Sequence, residues 1–135
     1  MAGEIATRTV LVIDDDDLLR QTLHDLLRDG GYDVLVAGDG QEGIELAEKS
    51  RIDLIVCDLF MPGKEGIETI LELRQSLPAA KIIAISGGGS FNDDGRILDW
   101  NLRAATQLGA DGALQKPIRR DALLNLAEKL LSGAL

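Results

Sequence analysis

The chain has 135 residues, one cysteine and a formal net charge of -9 at pH 7. That is the length of one domain, enough to bury a core without disulfide or structural-metal staples, and a lone cysteine excludes an internal disulfide framework. The negative charge repels phosphate backbones across a Debye length of about 8 Å, and no apolar stretch approaches the ~20 residues of a membrane helix, so neither direct nucleic-acid binding nor a membrane span is expected. Residues 1–9 lack an apolar export segment, and Cys57 lies within an apolar run as a buried, inert thiol, so a cytoplasmic location is expected.

Residues 1–8 are read as a flexible N-terminus and 9–132 as the folded domain. The first strand is expected over Val10 to Ile13, followed by a helix that Asp16 or Asp17 caps, with Leu19, Leu23, Leu26 and Leu27 on one face and Gly30-Gly31 as its stop. Val34 to Val36 is the second strand, and Asp39 caps a helix carrying Ile44 and Ala47. Leu54 to Cys57 is the third strand. A helix from about Gly66 shows Ile67, Ile70, Leu71 and Leu77 as its apolar positions, with Pro78 just past its end. Ile82 to Ile85 is the fourth strand. A fifth, Gly112 to Gln115, has weaker β-propensity and is required mainly by the alternation. The last helix, Asp121 to Leu131, is expected to bury Leu123, Leu126, Ala127 and Leu130, and with four residues after it no output domain is expected in this sequence.

Short apolar strands separated by helical patterns predict an α/β fold, a doubly wound parallel sheet with helices on both faces; the flavodoxin-like form, five strands in the order 2-1-3-4-5 with five helices, is the expectation that the resemblance described below implies. Position then becomes informative. Asp14 and Asp15 follow the first strand, Asp58 the third, Ser86 the fourth and Lys116 the fifth, all at the carboxyl ends where such sheets bind ligands. With strands one and three adjacent, three carboxylates share one pocket. Two like charges 4 Å apart cost about 4 kcal/mol at an effective dielectric of 20, so the cluster calls for a cation. Oxygen-only donors, without histidine or thiolate, favour Mg²⁺ over zinc. For Asp16 and Asp17 a capping role is preferred to a place in the pocket.

Ser86 followed by three glycines, Gly87 to Gly89, places a hydroxyl donor where a tetrahedral anion can approach closely. The run lacks the Gly-Lys-Ser/Thr ending of a P-loop, so nucleotide binding is discounted. Lys116-Pro117 adds a positive charge at a rigid strand end. His24 neighbours Asp25 on the first helix and is given no phosphotransfer role.

Together, Val10 to Asp16, Asp53 to Gly63 with its Met61-Pro62-Gly63, Ser86-Gly87, Gly109-Ala110-Asp111 and Lys116-Pro117 resemble the receiver domain of two-component response regulators, in the stand-alone form similar to the chemotaxis regulator. The resemblance spans nearly the whole chain. It implies phosphorylation of Asp58, Mg²⁺ held by Asp15, Asp58 and the backbone carbonyl of Phe60, and Asp14 assisting through water. It also implies that Ser86, Lys116 and Gly87 receive the phosphoryl oxygens. The donor is then a sensor histidine kinase or histidine phosphotransfer protein, and the output an unknown downstream protein.

Two departures stand out. Ala113 occupies a position where the family commonly has Tyr or Phe, and thirty positions separate Ser86 from Lys116, an excess that falls around Ser90 to Trp100. Phe91 or Trp100 is therefore a candidate replacement for the moving aromatic, against the plainer reading of Trp100 as core packing. Phe60 is expected to flank the pocket mouth and hinder attacking water. Two rival readings remain: a phosphorylation-independent docking receiver, which Ala113 makes conceivable, and an aspartate-nucleophile phosphatase, which would want a second Asp where Phe60 stands.

Overall fold

A computed structural model of the chain describes residues 7–59, 66–86, 106–107 and 109–133. The expectations for Phe60, Gly87, Phe91 and Trp100 lie outside the described residues. In chain order the elements are β1 (Thr9–Ile13), α1 (Asp17–Asp29), β2 (Asp33–Ala37), α2 (Gly40–Lys49), β3 (Leu54–Asp58), α3 (Gly66–Ser76), β4 (Lys81–Ser86), β5 (Gly112–Gln115) and α4 (Arg120–Ser132). The strands form one parallel sheet, as the alternation predicts, and its order is the expected β2-β1-β3-β4-β5. Four helices fall among the described residues; the fifth was expected between β4 and β5, mostly outside them.

The strands are apolar without interruption because each covers two cores. Leu11, Ile13, Ile55, Cys57, Ile82 and Ala84 face one side, under Ile44 and Ala47 of α2 and Ile70 and Leu73 of α3. Val10, Val12, Leu54, Val56, Ile83 and Ile85 face the other, with Leu23 and Leu27 of α1 and Leu123 and Ala127 of α4. The period-two alternation assigns neighbouring residues to opposite faces, and each fully buried aliphatic side chain contributes about 1.5–3 kcal/mol of transfer free energy.

Caps set the helix starts. The Asp16 carboxylate accepts from Leu18 N and Leu19 N, which selects Asp16 over Asp17, and the Asp39 carboxylate accepts from Glu42 N. One expected core position is corrected: Leu71 is exposed at 39%, while Leu73, like Ile70, is fully buried in α3. With Ile70 and Leu73 three apart on the inner face, Leu71 is turned about 100° away from Ile70. The β3 and β4 bounds also shift, since Asp58 and Ser86 are the last residues of their strands instead of the first beyond them. Both are thereby held by sheet backbone.

At the opposite edge Arg74 ties α3 to the entry of β5. Its guanidinium donates to the carbonyls of Gly109, Pro78 and Ala80 and to the Asp111 carboxylate at 2.6 Å. Asp111 in turn accepts from Ile82 N and donates its own N–H to Ile82 O, locking the β4–β5 register. That register carries Lys116 to the pocket: its N–H donates to Ser86 O at 2.9 Å, one step past the Ser86–Gln115 pair.

Candidate functional site

Parallel pairing of β1 with β3 places the ends of both strands side by side. The Asp14, Asp15 and Asp58 carboxylates each offer an oxygen, and these oxygens lie within 4.8 Å of one another. Asp14 is fully buried and Asp58 is 2% exposed, whereas Asp15 faces solvent. Asp14 N–H donates to Ala37 O of β2, which fixes the backbone just as β1 ends. Its Oδ1 accepts from Asp16 N at 2.9 Å; its Oδ2 is buried with no hydrogen-bond partner among the described residues.

Lys116 Nζ donates to Asp58 Oδ2 at 3.1 Å, reaching from the end of β5 across β4 to the end of β3. Lys116 thus sets a positive charge against the three carboxylates. Burial is the main cause that pushes the Asp14 carboxyl up to about 6; the Asp16 amide pulls it back, Asp58 pushes it further, Lys116 opposes and Asp15 adds to the rise. The Cys57 thiol, wholly buried, is driven well above its ordinary range by burial first and then by Asp58 and Asp14, so it stays protonated and unreactive. Ser86 is fully buried one strand away from Asp58.

Sequence reasoning missed two supports. Arg20 donates to the Asp14 carbonyl at 2.9 Å and pairs with Asp17, holding the acidic turn from below; the only sequence signal was the i, i+3 spacing from Asp17. Gly66 starts α3 directly against the Asp58 backbone: its N–H donates to Leu59 O, and a Cβ there would lie 2.2 Å from Asp58 O. Only glycine fits that approach. Ala113 sits in β5 opposite Ala84, partly buried, three residues before Lys116. His24 Nδ1 lies 3.0 Å from Asp25 Oδ1 on the exposed side of α1, apart from this cluster.

The donor set fits a hard divalent cation. It offers clustered carboxylate oxygens, one of them buried and unpartnered, with a net charge that a 2+ ion offsets.

A family model, the response regulator receiver domain, matches residues 10–128. The chain belongs to that family. The receiver is 34% identical over 119 residues to a response regulator receiver protein of Anaeromyxobacter, covering 88% of this chain and 47% of that one. It is 40% identical over 108 residues to the transcriptional regulatory protein CpxR of Klebsiella pneumoniae, covering 80% and 42%. The chain therefore spans less than half the length of these sequence relatives. Among solved structures it is similar to the chemotaxis protein CheY4 of Vibrio cholerae, with a TM-score of 0.79, 29% identity and coverage of 93% and 100%. A receiver domain protein of Methanospirillum hungatei superposes with a TM-score of 0.83 at 25% identity, covering 95% and 96%. Receiver domains are signalling modules of phosphorelays, and among the described residues no helix of this one is long and apolar enough to cross a membrane.

Proposed function

We propose that this receiver accepts a phosphoryl group on Asp58 from the phosphohistidine of a sensor kinase or phosphotransfer protein, and changes conformation to control a protein target. The observation that carries the reading is the buried Asp58 carboxylate, held by Lys116 beside an Asp14 oxygen that has no hydrogen-bond partner among the described residues. An acidic pocket of this charge is costly unless phosphoryl chemistry and its cation use it. This also weighs against a receiver that acts by docking alone.

In the proposed reaction the Asp58 carboxylate attacks phosphorus as the phosphorus–nitrogen bond of the donor breaks. The electron pair returns to the imidazole, which takes up a proton, and an aspartyl phosphate forms. The Lys116 ammonium and Ser86 hydroxyl bind the transferred oxygens, and Gly87 is assigned to the same phosphoryl-binding set from the sequence motif. Asp15, Asp58 and the Phe60 carbonyl, with Asp14 through water, would hold Mg²⁺, which would supply charge to offset that of the phosphoryl group. Dephosphorylation reverses the state: water attacks phosphorus, the bond to Asp58 breaks, and inorganic phosphate leaves. The chain catalyses only these changes to itself, in the cytoplasm, within a unit of residues 9–132. Phe91, Trp100 and Ala113 are the candidate relay positions.

Beryllofluoride, a phosphoryl mimic, tests the pocket. Added with Mg²⁺, it is expected to shift the amide resonances of Asp58, Ser86 and Lys116 in the native chain and to leave Asp58→Asn unchanged. An unresponsive native spectrum would refute the assignment.

A further inference from the structure

The amino ends of the strands, opposite the carboxylate pocket, carry a feature that phosphoryl transfer does not use. Three hollows of about 400, 620 and 350 Å³ all meet at Arg51. The first has an apolar floor that includes Ile52, Leu77, Ala80 and Leu130, with Arg8 and Lys81 on its wall. The second continues past Ser50 and Val34 to Tyr32 and Arg28, and the third joins them along Thr9 and Arg8. They form one trough along the lower edge of the sheet.

Its charge is opposite to that of the molecule. Arg8, Arg28, Arg51 and Lys81 line it, against the carboxylates of Asp33 and Asp53, in a chain whose formal net charge is -9. Asp53 is engaged, accepting from Thr9 N at 2.9 Å, and Arg8 donates to Leu131 O. His24, at the far end, lies against Asp25. The side chains of Arg51 and Lys81 make no hydrogen bond or ion pair with any described residue.

We infer that this trough docks an extended acidic segment of a partner protein, with carboxylates meeting Arg51, Lys81 and Arg28 and aliphatic side chains entering the Ile52–Leu77–Leu130 floor. A small anion would use the cations and leave the apolar floor idle. A nucleic acid carries no aliphatic side chains for the floor, and its regularly spaced phosphates would run past the trough onto a net acidic surface. An extended peptide, whose side chains alternate between two faces, satisfies both the charged wall and the apolar floor. The inference is independent of phosphoryl transfer at Asp58.

Fluorescence anisotropy with a fluorescein-labelled peptide alternating Glu and Val, and with its Lys-for-Glu counterpart, tests it on the full chain. The Glu peptide is expected to bind saturably, to shift the amides of Thr9, Ser50 and Arg51, and to lose about tenfold or more in affinity in the double variant Arg51→Glu, Lys81→Glu. Neither side chain has a partner among the described residues, so the variant is expected to keep its thermal midpoint and its phosphorylation. Equal binding of the two peptides, or unchanged affinity in the double variant, would overturn the inference. So would inorganic phosphate alone reproducing the amide shifts while the peptide does not bind, which marks a small-anion site. Sedimentation showing a native dimer that the double variant abolishes would overturn it in favour of self-association.

Discussion

Asp14 carries the strain of the pocket. Its carboxyl is raised from 3.8 to about 6, so in the metal-free protein its neutral form favours folding. The contribution is fully present below about pH 4 and is lost as pH rises through about 6, where the folded chain must ionise a buried group. Asp14→Asn removes that dependence. Its melting temperature without metal is expected to match the native chain near pH 4 and to exceed it above pH 6, by the equivalent of at most about 3 kcal/mol. A gap that does not open with pH would contradict the electrostatic account. Lys116 has the opposite sign. Lys116→Ala takes away the cation at Asp58, so calorimetry is expected to show Mg²⁺ binding several-fold to about tenfold tighter, even as the response to beryllofluoride weakens. Weaker Mg²⁺ binding would mean that Lys116 organises the pocket more than it opposes its charge.

The elements explain which of these side chains were legible in advance. The strands were readable because both faces of the sheet are covered, which turns each into an unbroken apolar run, and Asp14, Asp58 and Lys116 were legible because they break those runs at one end. Leu71 misled because periodicity cannot separate the inner from the outer side of a helix with apolar residues on several sides; Leu73 was fixed by packing against the sheet, which no local pattern records. Arg20 and Gly66 were hidden for a similar reason, since their partners are backbone atoms of other segments. Gly66 yields a sharp expectation. Gly66→Ala drives a methyl into the backbone of Asp58 and Leu59, which must move, so circular dichroism melts are expected to show destabilisation of several kcal/mol and acetyl phosphate labelling to fall. A native-like melt would place the start of α3 farther from β3 than the structure has it.

The whole molecule has two unlike ends. At the carboxyl ends of the strands Asp14, Asp15 and Asp58 cluster, with Lys116 paired to Asp58; at the amino ends Arg8, Arg28, Arg51 and Lys81 line a trough. The acidic end was visible in the sequence because its residues follow strands that must be neighbours. The basic end was not, because its four cations are scattered over more than seventy positions and form no run. Sheet topology alone assembles both, which is why a fold of this order converts weak local signals into a site. The central claim is the chemistry of Asp58, and intact-mass measurement after incubation with Mg²⁺ and acetyl phosphate tests it most directly. The native chain is predicted to gain one phosphoryl mass that is lost on standing, and Asp58→Asn to gain none; an unmodified native chain, or equal labelling of both, would contradict it.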